Sequence, residues 1–228
     1  MNETVSHAPY RHQDATGAPI DLPIGKVVCI GRNYAAHAAE LGNPVPEQPL
    51  LFLKPQTALC HWEPAIAIPS RWGSCHHELE IAVLIGNRLQ RASPEEAQTA
   101  IHGVGLGLDL TLRDLQKELK TKGHPWERAK AFDHSCPLSG FVPDAGPLDQ
   151  LSMSLSIDGV VVQSGSTSHM ITPILDLICE ASQTFTLLPG DVIMTGTPAG
   201  VGPLAPGQVL EGNLGDVVQC IATVVEAV

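Results

Sequence analysis

The sequence has few basic residues and lacks any long apolar run. It carries 13 lysines and arginines against 24 acidic residues, so its formal net charge is −11. A charge of this sign argues against nucleic acid and anionic membranes as partners, but it leaves room for a small anionic substrate. No stretch reaches the roughly 20 apolar residues of a membrane span, and residues 1–20 lack the apolar core of a secretory signal. We therefore expect a cytoplasmic protein.

Several motifs that define common catalytic sites are also missing. The six cysteines form no Cys-x-x-Cys pair, which predicts buried thiols in a reducing compartment. The chain has no Walker A, Gly-x-Ser-x-Gly or Gly-x-Gly-x-x-Gly pattern. His76 and His77 precede Glu78, but neither the zinc deaminase motif nor the His-Glu-x-x-His motif of zinc proteases is complete. These absences argue against zinc at this position.

The pattern that is present favours one β-rich domain of the α+β class, with a few short helices. Apolar residues make up 43% of the 228 residues, which is enough for a sizeable core. Short apolar strands alternate with turns among 21 glycines and 19 prolines. Residues 152–162 predict a hairpin around Asp158-Gly159. We expect an N-terminal arm over residues 1–22 and a single domain over residues 23–228.

Two glutamates interrupt an apolar strand predicted for residues 77–85. Glu78 and Glu80 share one face of such a strand, about 6.7 Å apart. If that face is buried, repulsion of roughly 2–3 kcal/mol and desolvation oppose the pair, and a divalent cation offsets both. Asp109 follows the next strongly apolar strand and adds a third carboxylate, which favours a hard-metal site. A solvated strand face, or pairing with arginines, is the alternative.

A second polar pair lies on a short alanine-rich helix predicted for residues 33–41. His37 and Glu40 are three residues apart and therefore share one face of it. A carboxylate that orients an imidazole makes a better general base. This helix has little apolar surface to bury, so it is suited to moving as a lid. From the spacing alone, a pair on the solvent-exposed surface remains the simpler interpretation.

Basic residues and a glycine-rich loop are further candidates for binding an anionic substrate. Arg32, Lys54, Arg113 and Lys130 belong to a small set of 13 basic residues, and several lie in predicted loops near the candidate site. Any one of them can instead be a solvated surface cation. The loop over residues 195–200 follows a strand and offers backbone N–H groups and hydroxyls, which suit either an anion or a simple turn.

Taken in order, these segments resemble the fumarylacetoacetate hydrolase family. They are GRNYAAHAAE, FLKP, HHELE, LDLTLRDLQ, KGHPWERAKAFDHSCP and PGDVIMTGTPAGVGP. The resemblance runs from about Lys26 to the C-terminus, and within the family it is strongest to the short acylpyruvase and oxaloacetate decarboxylase branch. It implies a β-rich roll with a mixed sheet, usually assembled as a homodimer.

The resemblance also implies roles for individual residues. The family's metal motif falls on the three carboxylates described above, which implies Mg²⁺, or Mn²⁺ in its place. The dyad of its mobile helix falls on the histidine and glutamate of the alanine-rich helix. Its active-site lysine falls on Lys130, and its substrate-contacting residues fall on Gln116 and Thr197.

Three functions are compatible with these expectations. The first is Mg²⁺-dependent cleavage of the C–C bond of acylpyruvates such as acetylpyruvate or fumarylpyruvate, with decarboxylation of oxaloacetate as a further activity. In this reaction His37 activates water and Lys130 stabilises negative charge. The second is tautomerisation or isomerisation of a 2-oxo diacid at the same metal site. The third is a non-catalytic, metal-stabilised binding protein, which would not need His37, Glu40 and Lys130 together.

Overall fold

The computed structural model describes residues 9–40, 42 and 44–227. Residues 1–8 of the predicted arm and Leu41 of the predicted helix lie outside these ranges. The strands are β1 Val27–Gly31, β2 Leu50–Lys54, β3 Leu59–His61, β4 Ala65–Ile68, β5 Cys75–His77, β6 Leu79–Ile85, β7 Ile101–Leu108, β8 Thr111–Leu112, β9 Cys136–Leu138, β10 Ser152–Ile157, β11 Val160–Ser166, β12 Val192–Met194, β13 Gly202–Pro203, β14 Val209–Leu214 and β15 Val218–Glu226. The helices are α1 Ala35–Glu40, α2 Pro94–Ala100, α3 Arg113–Lys122, α4 Glu127–Lys130 and α5 Ile174–Thr184.

The largest sheet is mixed and carries the strand that holds Glu80. Its seven strands lie in the order β2-β1-β12-β6-β7-β9-β3. β1 is parallel to β12 and β3 is parallel to β9, whereas β6 is antiparallel to both of its neighbours. All seven residues of β6 are buried, which accounts for its almost continuous apolar sequence. The expected β-rich α+β fold with a mixed sheet is confirmed.

A second sheet of five strands supplies the other half of the core. Its order is β11-β10-β14-β15-β4. Buried and exposed residues alternate along most of β15, so one face packs inward and the other faces outward. Asp158 and Gly159 have φ values of 51° and 80° between β10 and β11. Two left-handed residues in this place make the two-residue turn that the sequence predicted.

Breaks between strands bring two of the candidate carboxylates together. The short strands β13, β5 and β8 form a third sheet beside β6 and β7. The break between β5 and β6 falls at Glu78, and the break between β7 and β8 includes Asp109. The N–H of Asp109 donates to the C=O of Glu78 at 2.9 Å. The two acidic residues therefore face each other across neighbouring strands.

Helix α1 begins at Ala35, two residues later than the sequence predicted. The side chain of Asn33 donates to the C=O groups of Thr172 and Thr195 at 3.0 and 2.9 Å. Its Oδ1 accepts the N–H of Thr172 at 2.8 Å. These bonds hold the segment before the helix against two loops, so the helix starts only after the tethered segment.

The cysteines agree with the expected reduced thiols, and the helices can be compared with the length that a membrane span needs. All six cysteines are free, and all except Cys179 are buried. Across residues 9–40, 42 and 44–227, no helix is long and apolar enough to span a bilayer.

The described part of the predicted arm, residues 9–22, packs against the domain. The ring of His12 is fully buried, with Nε2 lying 3.0 Å from the C=O of Gly190 and Nδ1 lying 3.0 Å from the hydroxyl of Tyr10. Because a carbonyl only accepts, the neutral ring carries its hydrogen on Nε2 and accepts the tyrosine hydroxyl at Nδ1. Burial lowers the pKa of His12.

This histidine gives the arm a predicted dependence on pH. Because its pKa is lowered in the folded state, its contribution to stability is full above the unfolded pKa of about 6.5 and is lost as the pH falls. We expect the free energy of unfolding to fall by at most about 1.4 kcal/mol per pH unit from this group. Urea unfolding between pH 8 and 5 measures it, with His12→Gln as the control. An identical pH slope in the two proteins would contradict the prediction.

Candidate active site

Three carboxylates form a buried cluster where β5, β6, β7 and β8 meet. The side chains belong to Glu78, Glu80 and Asp109, and these residues are 4%, 2% and 1% exposed. One oxygen from each lies within 4.8 Å of the others. The pairing of Glu80 with Gly107 across the β6–β7 ladder places the glutamate beside the strand that leads to Asp109. The burial rules out a solvated strand face, which was the alternative left open by the sequence.

Three cations compensate the charge of this cluster. The ammonium of Lys130 lies 2.9 Å from Glu78 and 2.5 Å from Asp109. Arg113 donates to the other oxygen of Glu78 at 2.5 Å. Lys54 lies 2.9 Å from the other oxygen of Asp109. Pairing with an arginine, the second alternative, therefore holds for one carboxylate of the three and coexists with the cluster.

The surroundings shift the pKa values of the two glutamates in opposite directions. Burial alone would raise the pKa of Glu78, but Lys130 and Arg113 hold it well below its usual range. Burial raises the pKa of Glu80 well above its usual range, and the carboxylates of Asp109 and Glu78 raise it further. The N–H of Gly196, which donates to Glu80 at 2.7 Å, offsets only part of this. Glu80 is therefore the carboxylate with the least compensation from the protein.

The cluster fits a hard divalent cation. Oδ1 of Asp109 is buried and accepts no well-aligned hydrogen bond from the described part of the chain, even though the Lys54 ammonium is close. Glu80 adds a carboxylate that burial and its acidic neighbours penalise. A small oxygen-preferring cation such as Mg²⁺ or Mn²⁺ would satisfy both groups. Glu78, Glu80 and Asp109 are the residues that would hold it.

Helix α1 presents a histidine to the same cavity. His37 is buried and lines the cavity together with the three carboxylates. Its Nδ1 lies 3.4 Å from Oε2 of Glu40, while Oε1 of Glu40 accepts the N–H of Gly200 at 3.0 Å. Glu40 thus contacts both the imidazole and the glycine-rich loop. The predicted pair is not an isolated surface feature, because the histidine faces the carboxylates and the glutamate joins the helix to the loop.

Most of the predicted substrate-binding residues line the cavity. The cavity is bounded by apolar side chains, by Lys120 and Lys130, and by the predicted residues Arg32, Arg113, Gln116 and Thr197. Arg113 also donates to the side-chain oxygen of Gln116 at 2.7 Å, so the two form one polar group beside Glu78.

Lys54 lies elsewhere, behind the carboxylates. Its side chain is fully buried and its ammonium donates to the hydroxyl and the C=O of Ser135, both at 3.0 Å, and to the C=O of Lys130. It does not line the cavity. The predicted contact with substrate is therefore replaced by a structural role, in which Lys54 supports Asp109 and the chain around Lys130.

Two residues of the site were missed by the sequence analysis. Asn33 tethers the start of α1, and Gln163 joins Leu79, the residue between the two glutamates, to the loop of Thr197. The signal for Gln163 is a lone amide in the run VVVQSG, where the alternation of the strand directs it inward. The signal for Asn33 is an amide directly before an alanine-rich helix.

The fold and the site together define a β-rich protein with a potential hard-metal centre beside an acid–base pair. The chain belongs to the fumarylacetoacetate hydrolase family, since it matches the fumarylacetoacetate (FAA) hydrolase C-terminal family over residues 26–225. This is an enzyme family, and the resemblance drawn from the motifs is confirmed.

Relatives and solved structures support this assignment. The chain is 53% identical over 204 residues to an oxaloacetate tautomerase of Escherichia coli (strain K12), covering 88% of this chain and 93% of the relative. It is similar to a fumarylacetoacetate hydrolase family protein from Yersinia pestis CO92, with a TM-score of 0.93, 48% identity and coverage of 95% and 100% of the two chains. It is also similar to fumarylpyruvate hydrolase from Pseudomonas aeruginosa, solved with Mn²⁺ and pyruvate, with a TM-score of 0.87, 34% identity and coverage of 99% and 100%.

Proposed function

We propose that the protein catalyses the keto–enol tautomerisation of oxaloacetate, with Mg²⁺ or Mn²⁺ as its metal. The observation that carries the proposal is the placement of His37 in the cavity of the carboxylate cluster, with its other nitrogen facing Glu40. A single proton-transferring imidazole is sufficient for tautomerisation. The similarity to an oxaloacetate tautomerase supports this choice over hydrolysis, which the sequence alone had favoured.

The residues of the cavity suit a small dianion. Arg32, Arg113 and Lys120 line it together with Lys130, so positive charge surrounds the space next to the carboxylates. Gln116 and Thr197 add uncharged polar groups for the substrate's oxygens. When bound, the metal would act as a Lewis acid toward the 2-oxo acid and so acidify the adjacent carbon.

The proton transfer follows from the orientation of His37. Because Nδ1 faces the Glu40 carboxylate, which only accepts, Nδ1 carries the hydrogen of the neutral ring. Nε2 is then the nitrogen that accepts a proton. In the keto-to-enol direction, Nε2 would take the proton from carbon 3 of oxaloacetate. The Lys130 ammonium would stabilise the negative oxygen of the substrate until the protonated imidazole returns the proton to that oxygen, which completes the enol and restores the neutral histidine. The reverse direction uses the same groups in the opposite order.

The test follows the ultraviolet absorbance of enol-oxaloacetate with the purified protein. We expect Mg²⁺-loaded protein to accelerate the approach to keto–enol equilibrium above the spontaneous rate, and we expect EDTA to abolish the acceleration. Calorimetric titration with Mg²⁺ shows independently that the metal is bound. Metal-loaded protein that leaves the spontaneous rate unchanged would refute the proposal.

A second candidate function is hydrolysis of acylpyruvates such as acetylpyruvate or fumarylpyruvate. The pairing of His37 with Glu40 favours it, because a histidine oriented by a carboxylate can activate an attacking water. The similarity to a fumarylpyruvate hydrolase also supports it. Pyruvate release from acetylpyruvate and from oxaloacetate, each with an EDTA control, separates the possibilities. Metal-dependent pyruvate from acetylpyruvate indicates a hydrolase, and from oxaloacetate alone a decarboxylase.

A further inference from the structure

Gln163 on β11 is buried beside Thr197, which lines the cavity, and uses all of its hydrogen-bonding capacity. It is only 1% exposed. Its Oε1 accepts the N–H of Leu79 and the Nδ1–H of His77, both at 2.9 Å. Its Nε2 donates to the hydroxyl of Thr197 at 2.8 Å and to the C=O of Pro198 at 3.0 Å. A terminal amide has no further donors or acceptors to offer beyond these pairings.

The orientation of this amide is fixed by its backbone partners. The N–H of Leu79 can only donate, so the atom that faces it must be the oxygen of Gln163. The C=O of Pro198 can only accept, so the atom that faces it must be the nitrogen. A flipped amide would set its NH₂ group against the N–H of Leu79 and its oxygen against the C=O of Pro198, so neither contact would be a hydrogen bond.

This orientation decides how Thr197 can use its hydroxyl. The hydroxyl oxygen already accepts a hydrogen from Gln163, so its own hydrogen must point elsewhere. The hydroxyl donates to the C=O of Pro198 at 3.4 Å, and this C=O already accepts from Gln163 at the shorter distance of 3.0 Å. A contact of 3.4 Å is weak for a hydroxyl donor. Thr197 lines the cavity, so an oxygen bound there is a better acceptor.

We propose that Gln163 is a positioning residue that sets the hydroxyl of Thr197 as a hydrogen-bond donor to an anionic oxygen of the substrate. The same amide holds the N–H of Leu79, the residue between the two glutamates of the cluster. Gln163 thus fixes the loop of Thr197 relative to the start of β6, which lies between the two glutamates. The inference rests on the proposed function only for the class of ligand, a small 2-oxo acid or its oxalate analogue.

The test is calorimetric binding of oxalate to Mg²⁺-loaded protein and its variants. In Gln163→Glu the new carboxylate accepts from Leu79 and His77 as before but cannot donate, so the Thr197 hydroxyl turns its hydrogen toward it. We expect oxalate to bind roughly 10- to 100-fold more weakly, the effect of losing one hydrogen bond to a charged group. Thr197→Val should weaken binding by a similar factor, and Thr197→Ser should keep the wild-type affinity.

The double variant Gln163→Glu/Thr197→Val separates positioning from simple charge repulsion. If Gln163 acts through Thr197, the double variant binds oxalate no more weakly than the Thr197→Val protein. Repulsion between the new carboxylate and oxalate would persist without the threonine hydroxyl, so additive losses would overturn the proposal. Wild-type affinity in Gln163→Glu would overturn it as well.

Two control variants test whether the change in oxalate affinity is specific to Gln163 and independent of a folding defect. Gln208→Glu makes the same chemical change outside the cavity, and its side-chain oxygen still accepts the N–H of Ala205, so oxalate affinity should not change. If Gln163→Glu does not fold, Gln163→Met keeps the volume without a charge, and the same non-additivity with Thr197→Val is expected. Oxalate binding is measured without turnover. A protein without tautomerase activity can therefore still confirm or refute the role of Gln163.

Discussion

Glu80→Gln should lose metal-dependent activity by at least about 100-fold, because even groups that only support a metal ligand contribute up to about that factor. The same variant should unfold at the same temperature as the wild type in EDTA, or at a higher one. The reason is that burial and the neighbouring acidic residues already raise the pKa of Glu80. A neutral amide removes this penalty, and its oxygen can still accept the N–H of Gly196.

Asp109→Asn is the matched comparison for this result. Asp109 lies against the ammonium groups of both Lys54 and Lys130. Removing its charge leaves two buried cations under-compensated, and breaking a buried ion pair in this way costs roughly 3–5 kcal/mol. We therefore expect the asparagine variant to lose both activity and stability. Equal melting temperatures for Glu80→Gln and Asp109→Asn in EDTA would contradict the prediction that the charge of Asp109 stabilises the fold and the charge of Glu80 does not.

The second large effect is expected at His37. Positioned general acid–base groups contribute roughly 10²- to 10⁴-fold to rates. His37→Gln should reduce kcat for oxaloacetate tautomerisation by a factor in this range and leave Mg²⁺ affinity unchanged, since the imidazole is not one of the clustered ligands. Enol absorbance gives the rate, and calorimetric titration with Mg²⁺ gives the affinity.

Decarboxylation of oxaloacetate provides an internal comparison for this variant. Loss of CO₂ breaks a C–C bond without an attacking water or proton removal from carbon 3, so it needs the base least. We expect His37→Gln and Glu40→Gln to reduce tautomerisation, and any acylpyruvate hydrolysis, much more than decarboxylation. Equal losses in all of these reactions would show that the pair acts through the integrity of the cavity rather than through proton transfer.

The carboxylate cluster could be predicted because strand periodicity and burial act locally. The two-residue spacing predicted that Glu78 and Glu80 share one face of a strand over residues 77–85, and it left a solvated face open. The structure interrupts this strand at Glu78, but both glutamates are buried and join the cluster. Asp109 followed from its position at the end of a buried strand. The homodimer implied by the family resemblance stays a prediction, because contacts within one chain do not bear on it.

The roles of Lys54 and Gln163 could not be predicted in the same way. A lysine at the end of a strand can reach either into a cavity or behind it, and only the packing of Ser135 shows that Lys54 lies behind. Gln163 lies 84 residues from Leu79, one of its hydrogen-bond partners. Such contacts are set by tertiary structure and leave only a weak trace in a single sequence.

The double contact of Glu40 has a consequence for inhibition. One carboxylate holds the imidazole of His37 and the N–H of Gly200, so the base is oriented while α1 rests on that loop. A small molecule inserted between the helix and the loop would misalign the base without displacing the metal. Such an inhibitor would not compete with Mg²⁺. A substrate analogue that chelates the ion would instead need Mg²⁺ in order to bind. The inhibition by the two kinds of compound should therefore be additive.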